Sequence, residues 1–272
     1  MPWTKLKSII LLILVVTNLC LLTMVLGQNI QNSQMQRQIW EDTLDFLQDR
    51  GVAVQEDSLP RSVSLSPRLA ERDLEWERVA AEALLQGEAS VEFRGGEVYR
   101  YYNEQGTIQF HSDGTFSAQL EPGVCPVGED PAMDCAKVLE HMGFEGTMMQ
   151  KGSDQFVFRQ DWKEIPLFDM RVTVVCQGGS LVAMTGGRRL VGQPRQDTTR
   201  QTISVTTALV SFVNGVSDLG DVCNQISSIE QGYGCMASMS STMILTPVWQ
   251  VTTDTATYRM DMVSGVVSRA DS

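Results

Sequence analysis

The chain has 272 residues and carries 33 acidic against 21 basic side chains, a formal charge of −12. A surface this acidic excludes broad electrostatic binding to DNA, RNA or anionic lipid headgroups. The length suffices for one large domain or two small ones with cores of their own.

The first element is apolar. Leu6 to Gly27 is dominated by Leu, Ile and Val, and beyond Lys7 it holds no charged residue. Those 22 residues would span about 33 Å as an α-helix, enough for the hydrocarbon core of a bilayer. A helix satisfies its own backbone hydrogen bonds in lipid, so one transmembrane helix is the expected structure. Lys5 and Lys7 stand at its start, and the next basic residue is Arg37. That asymmetry predicts a cytoplasmic leader over residues 1–5, a span over 6–27 and an extracellular remainder. A cleaved signal peptide ending near Val25-Leu26-Gly27 is the competing reading, but the apolar run exceeds the usual length of such a core. Setting Lys5 and Lys7 aside, the outer part bears 33 acidic against 19 basic residues, a formal −14.

Within the span, Asn18 is an amide in hydrocarbon, where an interhelical hydrogen bond is worth about 0.6–2 kcal/mol. Leu14, Asn18, Leu21 and Val25 share a helix face, with Thr17 adjacent. These five residues form the expected partner-binding stripe; the bland alternative is one tolerated amide.

Residues 28–68 read as an amphipathic juxtamembrane helix, from Gln28 to Arg50 and stopped by Gly51, followed by a linker with Pro60 and Pro67. A first α+β region is expected over 69–193. It opens with a helix from Leu69 to Leu85, its inward face carrying Leu74, Val79, Ala83 and Leu84. The period then changes to two, which predicts short strands at 91–93, 97–103, 107–111 and 115–120. Gly95-Gly96, Gly106 and Asp113-Gly114 supply the turns between them. A second helix is expected over 131–142, with Met133, Val138, Leu139 and Met142 inward, then strands at 155–161, 167–176 and 180–185. A C-terminal α+β region is expected over 194–272: a helix at 202–213, then strands at 222–229, 242–252 and 256–268. The fold class is therefore α+β, with helices packed on antiparallel β-meanders.

Chemistry-bearing motifs are missing. The chain has no Gly-rich phosphate loop, no H-E-x-x-H and no G-x-S-x-G. His111 and His141 are its only histidines, and each reads as a surface or satisfied side chain. Neither an enzymatic activity nor a cofactor nor a metal is expected. Asp161-Trp162 invites a sugar-binding reading, although packing at a strand end is the better explanation. Five cysteines lie beyond the span, at positions 125, 135, 176, 223 and 235. The spacings of Cys125 with Cys135 and of Cys223 with Cys235 suit local disulfides; the alternative is small buried apolar thiols.

Trp3-Thr4-Lys5-Leu6-Lys7-Ser8-Ile9-Ile10 and Asn18-Leu19-Cys20-Leu21-Leu22 resemble the start of YycI-type regulatory proteins. Near the other end, Leu245-Thr246-Pro247-Val248-Trp249 resembles that family's Pro-x-Trp strand, with Gly232-Tyr233 upstream. Tyr258 to Val267, with Asp261 and Gly265, resembles its closing hairpin and is similar to PepSY-like domains. The resemblance covers about 60 residues at the two ends; the five outer cysteines and the acidic middle depart from it. It implies a non-enzymatic accessory regulator of a sensor histidine kinase in a cell-wall-related two-component system. The implied partners are the kinase's membrane helices, a YycH-like sister protein and the membrane, with no nucleic acid. The alternative is a PepSY-like secreted or anchored module that inhibits a wall-associated protease.

Overall fold

A computed structural model of the chain describes residues 14, 17, 18, 38–54, 59–238 and 241–270. Two compact units divide it, Met1–Ala53 and Val54–Ser272. Among the described residues no helix is long and apolar enough to cross a membrane. The expected span over 6–27 lies outside them, except for Leu14, Thr17 and Asn18, which are helical.

In the first unit, residues 38–49 form helix α1. Thr43 donates its hydroxyl to the Ile39 carbonyl at 2.7 Å, and the Arg50 guanidinium lies over the Phe46 ring. Gly51, with φ at +76°, ends the helix as its spacing predicts. A two-residue strand follows, β1 (Ala53–Val54).

The second unit contains two antiparallel sheets, each with helical cover. The expected helix from Leu69 begins later than the sequence suggests. Arg68–Glu71 is a strand, β2, and helix α2 spans Leu74–Leu84. Asp73 sets the boundary, because its carboxylate accepts from the backbone N–H groups of Glu75 and Trp76 and caps the helix. The inward face of α2 is Glu77, Ala80, Ala81 and Leu84, while Leu74 and Val79 are exposed. Glu77 can turn inward because Arg72 grips it through two hydrogen bonds of 2.7 and 3.0 Å.

The first sheet runs through β3 (Ser90–Phe93), β4 (Tyr99–Asn103), β5 (Gly106–Phe110) and β6 (Thr115–Leu120). It continues with β7 (Cys125–Pro126), helix α3 (Pro131–His141), β8 (Gly146–Lys151), β9 (Gln155–Trp162), β10 (Ile165–Gln177) and β11 (Ser180–Arg188). Their spatial order is β3-β4-β5-β6-β11-β10-β9-β8. Alternate side chains of these strands (Ile108, Phe110, Phe158, Val172, Val174) share one core with Ala81 and Leu84 of α2 and Cys135 and Leu139 of α3. Each such aromatic or branched side chain contributes about 1.5–3 kcal/mol on burial. In α3, Leu139 faces inward as expected, whereas Met133 is exposed and Ala132 and Cys135 take the buried positions.

The second sheet comprises β12 (Arg195–Gln196), β13 (Gln225–Ala237), β14 (Thr242–Thr253), β15 (Thr257–Asp261) and β16 (Val267–Arg269), with helix α4 (Val205–Asp218). One edge of β14 pairs with β13 along its length. Its other edge pairs with β2 over Thr242–Leu245 and with β15 over Val248–Thr252. The strand at Arg68–Glu71 thus belongs to this C-terminal sheet. Phe212 of α4 meets Tyr258 of β15 edge-on, with centroids 5.8 Å apart. A parallel pairing of Leu167 in β10 with Tyr233 in β13 links the two sheets.

Asp197, in the loop entering α4, makes a pH prediction. Hydrogen bonds from the Thr199 hydroxyl and from Arg200, both 2.6 Å, together with the Thr199 N–H, lower its pKa to about 2. A depressed carboxylate stabilises the fold above its unfolded pKa of about 4 and loses that contribution as pH falls toward the folded value. Asp197→Asn should therefore flatten the dependence of stability on pH between about 4 and 2, read by denaturant titration at stepped pH.

Candidate functional site

Three elements of the second unit converge on a cavity of about 320 Å³. Trp76, in the first turn of α2, forms one wall, and Gly143, just after α3, forms another. Gln160, Asp161 and Trp162 enter from the end of β9, and Lys163 from the turn beyond it.

Each wall has a physical anchor. Gln160 is buried; its amide donates to the Gly143 carbonyl at 3.4 Å and accepts from the Leu190 N–H at 2.9 Å. It thereby ties the end of α3 to the chain leaving β11. Gly143 has φ at +72°, a conformation that favours glycine after a helix. Asp161 accepts from Thr147 at 2.6 Å and from Arg159 at 3.2 Å, so its charge is matched. Two cations lie over the Trp162 ring, Arg68 at 4.6 Å and Lys163 at 5.1 Å, and it meets Tyr233 edge-on. Strand-end packing therefore does hold Trp162, and the same residue also lines the cavity. Lys163 and Glu164 both have positive φ, 51° and 64°. Both values suit the two-residue hairpin turn that pairs Trp162 with Ile165.

Behind Trp76 lies a buried charge. Arg189 is 2% exposed, and its Nε, Nη1 and Nη2 have no hydrogen-bond partner. Its guanidinium carbon sits 4.7 Å from the Trp76 ring and 5.6 Å from the Phe110 ring. Burial lowers its pKa to about 10, against the pull of nearby Glu77. Burial also raises the Glu77 pKa, more than its pairing with Arg72 lowers it. Burial around Arg189 strengthens any charge–charge interaction made beside it.

A larger groove of about 580 Å³ crosses Arg100, Tyr102 and Gln119. Its lining comes from β4, β5, the end of β6 and Val182 and Ala183 of β11, mostly half-buried or exposed side chains with Leu120 buried, and no charged residue of the lining is buried.

The stripe expected in the apolar segment is described in part. Leu14, Thr17 and Asn18 are helical and exposed, and the Asn18 amide donates to the Leu14 carbonyl at 3.0 Å. Leu21 and Val25 lie outside the described residues. The histidines each have a partner: His111 meets the Gln109 amide at 3.0 Å, and His141 meets the Lys137 carbonyl at 2.6 Å. Among the described residues, no group of three or more His, Cys, Asp or Glu side chains could hold a metal ion. Sequence reasoning singled out Asp161 and Trp162 but passed over Trp76 and Arg189. The doublet Arg188-Arg189 after Gly186-Gly187 reads as solvated loop chemistry, because nothing local signals that the second arginine turns inward.

No family model matches the chain, and no curated protein matches it. Among solved structures, an uncharacterized protein from Eubacterium rectale is similar over 81% of this chain and 90% of its own, at 13% identity and a TM-score of 0.40. The Bacillus megaterium YpeB C-terminal domain is similar over 75% of this chain and 100% of its own, at 13% identity and a TM-score of 0.38.

Proposed function

We propose that the chain is a non-enzymatic, membrane-anchored accessory regulator of a sensor histidine kinase, with its second unit serving as an extracellular binding module. The observation that carries the binding role is the cavity between Trp76 and Trp162, whose walls are pinned by Gln160 and whose inner side hides an unpaired guanidinium. The resemblance of the two chain ends to YycI-type proteins supports the regulatory role and the kinase and YycH-like partners. In this reading the apolar segment at 6–27 is the anchor and Asn18 its contact point. One Asn18 N–H goes to Leu14 in its own helix, and an amide has a second N–H and an acceptor oxygen to offer a neighbouring helix. Regulation then works by population shift: contacts that differ between two kinase states bias the equilibrium, and only that difference does so.

The test is co-purification in detergent. Asn18→Leu should weaken kinase capture by roughly 3- to 30-fold, the worth of one interhelical hydrogen bond, and leave the melting of the second unit unchanged. Capture equal to wild type would remove Asn18 from the interface. A secreted 28–272 fragment that retains full regulatory activity would favour instead the PepSY-like inhibitor of a wall-associated protease.

A further inference from the structure

We propose that Arg189 is the anchor for a ligand carboxylate that enters the cavity between Trp76 and Trp162. The inference deepens the binding role proposed above and rests on that reading of the second unit.

The argument begins with the chemistry of arginine. A guanidinium holds its proton even when buried, so it cannot escape desolvation by becoming neutral as a lysine can. Buried charges are therefore paired almost without exception, and all three nitrogens of Arg189 lack a partner. The neighbours that could serve are occupied. Glu77 gives both carboxylate oxygens to Arg72. The Gly143 carbonyl accepts from Gln160, and the Gln160 carbonyl oxygen accepts from Leu190. Trp76 and Phe110 cover the guanidinium with their rings, which leaves its hydrogen-bonding edge unmatched.

That edge approaches the cavity from behind Gly143. A Cβ placed on Gly143 would stand 3.7 Å from Nη2 of Arg189 and 3.4 Å from Nε1 of Trp76. Gly143 and Trp76 both line the cavity, and the guanidinium lies directly behind them, covered by the Trp76 ring. Charge then selects the ligand. Asp161 is matched by Arg159, and the remaining ionic side chains of the lining, Glu145 and Lys163, are one of each sign. Arg68, over the Trp162 ring, donates to the Tyr233 hydroxyl, and the buried cation left without a hydrogen-bond partner is Arg189. A singly charged planar carboxylate fits it, two oxygens against the fork of the guanidinium, whereas a dianionic phosphate would add surplus negative charge beside Glu77 and Glu145. The two indole rings suit an amide or sugar body behind the carboxylate. Because Arg189 is almost wholly covered, the Trp76 ring must swing aside for the ligand to reach it.

The carboxylate could belong to a peptide C-terminus or to an acidic sugar, and the probes separate the two. Full-length protein in detergent is titrated calorimetrically with N-acetylalanine, with N-acetylmuramic acid and with the neutral N-acetylalaninamide. Saturable binding of at least one carboxylate is expected, weakened tenfold or more for the amide and abolished by Arg189→Met. The same variant should melt at or above the wild-type temperature, because methionine keeps apolar volume and removes an unpaired buried charge. A guanidinium that merely props up the fold would give the opposite shift. Failure of both carboxylates to bind wild type, equal binding of the amide, or intact binding in Arg189→Met would each overturn the proposal. The comparison of carboxylate with amide needs no variant, so it stands even if Arg189→Met misfolds. Asn18→Leu should leave carboxylate binding unchanged, and the carboxylate titration needs no kinase, so the two proposals fail separately.

Discussion

Gly232→Ala should lower the stability of the second unit by about 1–3 kcal/mol, and Gly232→Val by more, because the substitution overpacks the seam where β10 meets β13. A Cβ on Gly232 would lie 2.5 Å from the carbonyl oxygen of Pro166 and 2.7 Å from the Phe168 ring. A side chain could rotate away, but the Pro166 oxygen belongs to the backbone of the opposing strand. The next pair along is Leu167 with Tyr233, the parallel link between the sheets. Asp169 reinforces the seam, accepting from the Cys235 N–H at 2.8 Å and from Arg259 of β15 at 2.5 Å. Arg259 in turn donates to the Phe168 carbonyl and lies over its ring. A methyl at position 232 must therefore move a strand and disturb a charged network together. For a unit of this size the expected fall in melting temperature is about 2–4 °C per kcal/mol. Gly87→Ala is the control, since nothing but the Asn103 amide comes within 4.0 Å of its new methyl, and it should change stability by less than about 0.5 kcal/mol. Equal shifts in the two variants would mean that the seam is not tight.

The strands were legible where one face is wet and the other dry. Ile108, Phe110, Phe116, Ala118 and Leu120 alternate with exposed or half-buried neighbours along β5 and β6, and that period is written in the sequence. Where burial follows another rule, the pattern is silent. Every residue of β8 is exposed, so only its pairing with β9 makes it a strand. Arg68–Glu71 buries Ala70 alone, and four residues of that kind ahead of a helix read as its first turn. Asp73 was the available signal, since aspartate is among the preferred helix N-cap residues. The inward face of α2 was misjudged for a related reason: Glu77 is buried because Arg72, five positions earlier, pairs with it, and hydrophobicity patterns treat both as solvated. The candidate site divides along the same line. Trp162 announces itself as a large aromatic at a strand end. Arg189 does not, because a buried unpaired charge is what such patterns assign to the surface.

Refolding the chain in the presence of oxidised glutathione should join Cys135 to Cys176, and not Cys135 to Cys125. The two sequence-local pairings, Cys125–Cys135 and Cys223–Cys235, follow from spacing alone; the fold makes a different match. All five thiols are free, but Cys135 in α3 and Cys176 in β10 face each other across the helix–sheet core with their sulfurs 3.4 Å apart. Closing to a bond of about 2.05 Å is a short motion for a helix resting on a sheet. The bond would close a loop of 41 residues, which the chain-entropy model values at about 4 kcal/mol of stability. Timing matters as much as distance. Burial and the neighbouring Cys176 sulfur push the Cys135 thiol well above its usual pKa, and both side chains are buried away from a dissolved oxidant. The bond must therefore form while the core is still open. Each closure consumes one glutathione disulfide, releases two glutathione thiols and removes two hydrogens from the protein. Peptide mapping without reductant should find the 135–176 crosslink after oxidative refolding. The same oxidant added to protein already folded and reduced should leave both thiols intact for hours. A crosslink between Cys125 and Cys135, or five titratable thiols beyond the apolar segment after oxidative refolding, would show that α3 does not rest on β10 in this register.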